Sequence, residues 1–455
     1  MPEAPPVTRA VLESKGVFMG ASRSYSSASI RPDSQTGLSS RAPHPGGGGR
    51  ADAPRRSRLG SCGEILDRWS DRPVMKIAVV WNAPRPLTRC SVRFERYASG
   101  FERLGHRAVV VCHPGCEEGF PAPTTTIPAD RFADPEAWRQ LGCDVAVVVT
   151  WHRMSEVLRA MQDAGVRTVA LTDSDGQLGT RAHPWITLQR MWVYQRSLRG
   201  RIRCLRYWLR QLRTPFPDEE REYLESSRSS DLIVLGSAVA EQRFARFLRS
   251  RRTERLMARV VSLPFCIGEA FTRCPLPETR ADRFVAVGRW DDPQKNPALL
   301  AAALRRFRAH RQRTEIHVFG PGGASRFGGP DRPAGVSYRG EIDQAGLAVE
   351  LASSRAIVFS SRWEGSPHAA NEALATGGTL VGTPIPSLSS WSQEGRFGTV
   401  SSRHTPGSLA AALLHEAELW DDGHRDAMAI ADHWRRALDP ETICGRMLEE
   451  LERLG

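Results

Sequence analysis

Lysine is nearly missing from this chain of 455 residues: of its 63 Lys and Arg, only Lys15, Lys76 and Lys295 are lysine. Lys15 lies in a Ser/Pro/Gly-rich tail and Lys76 follows Met75 at the head of the first apolar run, so Lys295 is the exception inside the folded region. A compact ammonium on a flexible stem is not interchangeable with a guanidinium fork. Lys295 is therefore weighed as functional against the plain alternative of a chance survivor on a solvated loop. No run of 18 or more apolar residues occurs, which excludes a membrane-spanning helix. No N-terminal apolar stretch precedes a small-residue cleavage site, which argues against secretion. The nine cysteines show no paired metal-ligand spacing; Cys112-His-Pro-Gly-Cys116 comes nearest and nothing completes it. Reduced, structural thiols in a cytoplasmic setting are expected.

What is present is ordinary in bulk and uneven in detail. Apolar content of 40% and charged content of 25% are those of a globular protein, and the length suits two or three folded units. The formal charge of +12 divides unequally: residues 1–74 hold 11 Lys/Arg and 7 Asp/Glu, a net of +4, leaving +8 for the rest. Much of that +8 sits between Arg190 and Arg213, where eight arginines occur with no acid. A basic balance favours anionic partners without naming them.

Residues 1–74 are rich in Ser, Pro, Gly and Arg, lack periodic hydrophobicity, and are expected to be disordered or a mis-assigned start, since Met75-Lys-Ile-Ala-Val-Val80 reads as a clean first strand. A regulatory tail is the alternative. Beyond Met75, short continuous apolar strands alternate with helices, the pattern of parallel sheets covered on both faces. Strands are expected at 77–80, 108–112, 145–149, 168–171, 231–235 and 260–263, then at 284–287, 315–319, 336–338, 356–359 and 379–381. Pro275-Leu-Pro277 reads as a linker. The fold class is thus α/β: two doubly wound, Rossmann-like domains facing a cleft, over residues 75–275 and 276–455.

The chemistry concentrates on strand-to-helix loops. Glu364 and Glu372 lie eight positions apart in Ser361-Arg-Trp-Glu-Gly-Ser-Pro-His-Ala-Ala-Asn-Glu372, after the apolar run 356–359. That layout is a buried strand, a loop opening with an acid, and a helix start carrying a second acid, where free amides and the positive dipole end suit phosphate or hydroxyls. The spacing alone is weak. It gains force from Phe284-Val-Ala-Val-Gly-Arg-Trp-Asp-Asp-Pro-Gln-Lys-Asn296, which sets Arg289 and Lys295 after another buried strand. Two cations and two acids so placed suit an anionic, polyhydroxylated ligand.

Together with His317-Val-Phe-Gly320 and Val336-Ser-Tyr-Arg-Gly340, these stretches resemble the retaining GT-B glycosyltransferases of family 4, the glycosyl transferases group 1, over about 100 residues. Arg103-Leu-Gly-His-Arg107 and Ser230-Asp-Leu-Ile-Val-Leu-Gly-Ser237 extend the likeness more weakly into the first half. The resemblance implies a nucleoside-diphosphate sugar held mainly by the C-terminal domain. Arg289 and Lys295 would neutralise the departing diphosphate, Glu364 would contact sugar hydroxyls, and Glu372 would accept from the ribose. Gly365, Ser366, Pro367 and His368 would surround the phosphates, and Gly288, Gly320 and Glu341 complete the donor-binding set. No metal or other cofactor is expected, since protein cations stand in for it.

The acceptor side departs from the family. The loop Trp81-Asn-Ala-Pro-Arg-Pro-Leu-Thr-Arg-Cys90 has no glycine, so residues do not transfer there; Arg85 and Arg89 are solvated charges or contacts for an anionic acceptor. Asp173 and His152, at strand ends, are acceptor-side candidates, with packing or turn roles as their plain alternatives, and Asp175 is read as a turn former before Gly176. The segment 190–213 is read first as an amphipathic helical insertion broken at Gly200, next as a contact with an anionic membrane surface, and last as a nucleic-acid patch. The reading is a metal-independent retaining glycosyltransferase acting on a glycan, glycolipid or small-molecule acceptor, with surface-polysaccharide synthesis as the setting. Its rivals are a nucleotide-sugar epimerase and a non-catalytic nucleotide-sugar-binding protein on the same fold.

Overall fold

A computed structural model describes residues 72–82, 91–118, 120, 122–149, 154–172, 175–329 and 332–454. The expectations for the tail, for Arg85 and Arg89, and for His152 and Asp173 lie outside the described residues.

The first half runs β1 (Lys76–Val80), α1 (Ser91–Arg103), β2 (Arg107–Cys112), β3 (Thr124–Thr126), α2 (Pro135–Leu141), β4 (Val145–Val149), α3 (Ser155–Asp163), β5 (Arg167–Thr172), α4 (Pro184–Val193), α5 (Leu198–Arg213), α6 (Asp218–Arg228), β6 (Leu232–Leu235), α7 (Ala238–Ser250), β7 (Val260–Ser262) and α8 (Glu269–Thr272). The second runs β8 (Ala281–Val287), α9 (Pro297–His310), β9 (Glu315–Phe319), β10 (Val336–Gly340), α10 (Gln344–Ser353), β11 (Ser354–Phe359), α11 (His368–Ala375), β12 (Thr379–Gly382), α12 (Pro386–Ser392), β13 (Gly398–Val400), α13 (Pro406–Asp421), α14 (Ala427–Leu438) and α15 (Pro440–Leu454).

Two parallel sheets result, ordered β3-β2-β1-β4-β5-β6-β7 and β10-β9-β8-β11-β12-β13. Their central strands are apolar runs with helices on both faces, which is why Ile77–Val80, Leu232–Leu235 and Ala356–Phe359 are fully buried. In each sheet the strand order reverses beside the first strand, between β1 and β4 and between β8 and β11. The crevice beyond the carboxyl ends of strands at such a reversal is where open α/β sheets bind ligands. The loops after β8 and β11 carry Arg289, Lys295 and Glu364.

Two features of the fold differ from the sequence reading. The final helix α15 packs on α1, and Ile443, Cys444, Met447, Leu448 and Leu451 join the core of the first sheet rather than the second. Gly100 permits that approach: a Cβ there would lie 2.6 Å from the Pro440 carbonyl oxygen. The break in the basic segment falls at 194–197 and not at Gly200. Ser197 caps α5 by accepting from the Gly200 amide (3.1 Å), and Gly200 is buried in the first turn, where a Cβ would meet Gln195.

Candidate active site

The loop after β8 is shaped by close backbone contacts. Gly288 donates to the Phe319 carbonyl at 3.1 Å, and Gly320 sits at φ 108° with no room for a Cβ, which would lie 2.1 Å from the Gly288 oxygen. Gly320 in turn donates to the Gly340 carbonyl at 2.7 Å, so the ends of β8, β9 and β10 are drawn together. Trp290 is buried, with its indole N–H on the Phe319 carbonyl (2.8 Å). Asp292 then caps a single 3₁₀ turn, Pro293–Lys295, by accepting from the Gln294 amide at 2.9 Å, and Asn296 takes a left-handed φ of 51° before Pro297 opens α9. This turn aims Lys295 at the neighbouring loop.

There Lys295 Nζ donates to Glu364 Oε1 at 2.6 Å, the Ser361 hydroxyl donates to the same oxygen at 2.6 Å, and Gln294 Nε2 reaches Glu364 Oε2 at 3.2 Å. Gln294 also donates to the Trp363 carbonyl (2.8 Å) and the Ser360 hydroxyl to the Lys295 carbonyl (2.6 Å), so the two loops are sewn into one unit. Both charges are largely withdrawn from solvent, at 19% and 9% side-chain exposure for Lys295 and Glu364. Arg289 stays open to solvent and pairs with Asp292 at 3.1 Å. Asp292 also accepts from the Tyr194 hydroxyl at the end of α4 (3.0 Å), and burial, with Asp292 beside it, pushes that phenol up.

The other residues named by the sequence are distributed around this unit. Glu372, on α11, is buried and faces Arg96 of α1 at 3.4 Å; burial raises its carboxyl and the Arg96 guanidinium opposes that. It therefore joins the two halves through Arg96. Gly365 lies against Asp175, with its carbonyl accepting from the Ser237 hydroxyl at 3.4 Å. The Ser366 hydroxyl is buried with no hydrogen-bond partner among the described residues, and His368 stacks on Phe265 (centroids 5.4 Å apart). The first turn of α11, after Pro367, has no side-chain cap. Glu341 is exposed at the end of β10.

Asp175 does more than turn the chain. It accepts from the Gln177 amide at 3.3 Å, as a turn former would, but it is also buried between Arg190 and Arg243. Burial alone would raise its carboxyl; the two guanidinium groups win and hold it below the usual range. Arg190 further lies over the Trp363 ring, 5.1 Å from its centroid. A small cavity opens beside Glu364 between Gln189, Arg190, Arg243, Arg362 and Trp363, and its lining is cationic. Neither Arg96 nor this Arg–Asp–Arg cluster was singled out from the sequence. The one signal for Arg96 is a charge on the apolar face of α1, among Phe94, Tyr97, Ala98 and Phe101.

Residues 281–418 match the family described as Glycosyl transferases group 1. That match covers the second sheet and the helices around it, which carry Lys295 and Glu364. The chain's likeness to solved structures fixes the fold as GT-B. A glycosyltransferase from Rickettsia africae ESF-5 is 10% identical, with 84% of this chain and 99% of that one covered at a TM-score of 0.58. HepE from Anabaena, in complex with UDP, is 13% identical, with 84% and 100% covered at 0.56. A UDP-forming α,α-trehalose-phosphate synthase from Burkholderia xenovorans is 13% identical, with 84% and 99% covered at 0.55. No curated protein sequence matches this chain. No group of three or more His, Cys, Asp or Glu that could hold a metal ion occurs among its described residues.

Proposed function

We propose that this protein is a group 1 glycosyltransferase that moves a sugar from a nucleoside-diphosphate sugar to an acceptor with retention at the anomeric carbon, using protein cations and no metal at the diphosphate. The observation that carries the reading is the Lys295–Glu364 pair, held by two sewn loops at the point where the second sheet reverses its strand order. An ammonium has three donors. Lys295 spends one on Glu364, and the others suit the diphosphate oxygens where negative charge grows as the glycosidic bond breaks. Arg289, exposed on the same loop, closes onto the same group. Glu364, already fixed by three donors, accepts from sugar hydroxyls, and the uncapped start of α11 with the orphan Ser366 hydroxyl receives a phosphate. The anomeric carbon–phosphate oxygen bond breaks, the acceptor oxygen bonds to the same face, and its proton passes to the departing phosphate. Binding of UDP or UDP-glucose by the Anabaena neighbour, seen in its own complexes, supports a nucleotide-sugar donor.

The test is a thermal-shift titration of the full chain with UDP, GDP and ADP and their sugar conjugates. A ligand at 100 times its dissociation constant adds about 2.7 kcal/mol to the folded state. Stabilisation by one nucleoside diphosphate that weakens in Lys295→Met supports the donor site. A folded protein indifferent to all three overturns it. Release of an altered nucleotide sugar without acceptor would assign the epimerase reading instead.

A further inference from the structure

The helix pair α4–α5 is left over once the site is accounted for, and its outer surface is unusual. No Asp or Glu occurs between Asp175 and Asp218, while α5 alone has six arginines in 16 residues. One face of α5 is spent on the protein: Gly200, Cys204 and Trp208 are buried, and the Trp208 indole donates to the Pro184 carbonyl at 2.8 Å. A second face is apolar and open. Leu198 is 74% exposed, Ile202 44%, Leu205 38% and Leu209 39%, at the i, i+4, i+7, i+11 spacing that makes one continuous stripe. By the same helical periodicity Arg199, Arg206, Arg210 and Arg213 run along one flank of that stripe. Trp185, 73% exposed and 5.7 Å from Trp208, and the half-open Trp192 add aromatic surface from α4.

We propose that α5 docks this protein on the surface of an anionic lipid bilayer. An in-plane helix needs an aliphatic stripe to sink among the acyl chains, cations at its edge for headgroup phosphates, and interfacial Trp; all three are present on the α4–α5 pair. The shallow groove between Arg206, Leu209, Arg210, Arg213, Thr214 and Pro215 suits a headgroup. Nucleic acid would use the arginines but leave four exposed aliphatic side chains unburied. A second copy of the same face would set arginine against arginine with no acid to answer. Docking here has a line to the chemistry, because α4 carries Arg190 over Trp363 and Tyr194 onto Asp292. The proposal does not depend on which donor is bound.

The test is co-sedimentation of the full-length protein with vesicles of phosphatidylcholine alone and with added phosphatidylglycerol. Binding is expected to the anionic vesicles, to fall with salt, and to be at least tenfold weaker on neutral ones. Leu205→Asp/Leu209→Asp should abolish it at unchanged thermal midpoint. Arg206→Gln/Arg210→Gln, on the exposed flank, should weaken it about fivefold per arginine. No binding, or binding that both variants leave intact, overturns the proposal. So do a monomer–dimer equilibrium that Leu205→Asp/Leu209→Asp breaks, and retention by duplex DNA but not by vesicles.

Discussion

Glu364 accepts from Lys295, Ser361 and Gln294 at once, so its carboxylate has one orientation before any ligand arrives. Removing Lys295 leaves a nearly buried acid short of a partner and, in the proposed reaction, takes a cation from the leaving group. Lys295→Ala is expected to lower turnover by about 10²-fold or more, read in a donor-hydrolysis or transfer assay, while Arg289→Ala, more exposed, costs less. Glu372 gives a pH signature. Its carboxyl is raised above 4.5 in the folded state, so its contribution to stability is full below that value and is lost as pH rises through the folded-state pKa. The thermal midpoint of Glu372→Gln relative to the parent should therefore climb as pH is raised from 4 towards neutrality, at about 4–8 with a melt at each step. That Lys295 and Glu364 lie on strand-end loops of one sheet was legible from the apolar runs before them; their direct pairing was not. Arg96 and Glu372 stand 276 positions apart, and nothing in spacing links them.

At the scale of elements, Asp175 holds α4 and α7 together through Arg190 and Arg243. Asp175→Asn leaves two guanidinium groups facing each other in a buried place and is expected to destabilise by about 3 kcal/mol, read by denaturant titration. The Asp175 pKa is held low, so its stabilisation stands above 3.8 and is lost as pH falls through the folded value; the cost of Asp175→Asn should shrink in acid. Long apolar elements were readable to within a residue or two, as with 315–319 and 145–149. Those that escaped were short or polar: Thr124–Thr126 is three threonines, and α6 is Asp-Glu-Glu-Arg-Glu-Tyr-Leu-Glu-Ser-Ser-Arg, whose apolar side is only Tyr223 and Leu224. The helix break moved from Gly200 because a cap chooses the start of a helix, and Ser197 supplies it while glycine is tolerated one turn in.

At the scale of the molecule, the two-sheet plan followed from strands alternating with helices, and the reversal points put the loops where the chemistry lies. The return of α15 to the first sheet did not follow, because an amphipathic helix states that it has an apolar face and not which core receives it. Gly100→Leu should force α1 and α15 apart and lower stability by about 1–3 kcal/mol, with the thermal melt as the check.

That return has a consequence for how the protein is made. The first sheet precedes the second in the chain, yet five apolar side chains of its core come after every strand of the second sheet. The first sheet must wait, with part of α1 uncovered, until the second sheet has been made and α15 follows it. Completion of one half certifies the presence of the other, and a product cut short before Pro440 carries an unsealed core that a protease can find.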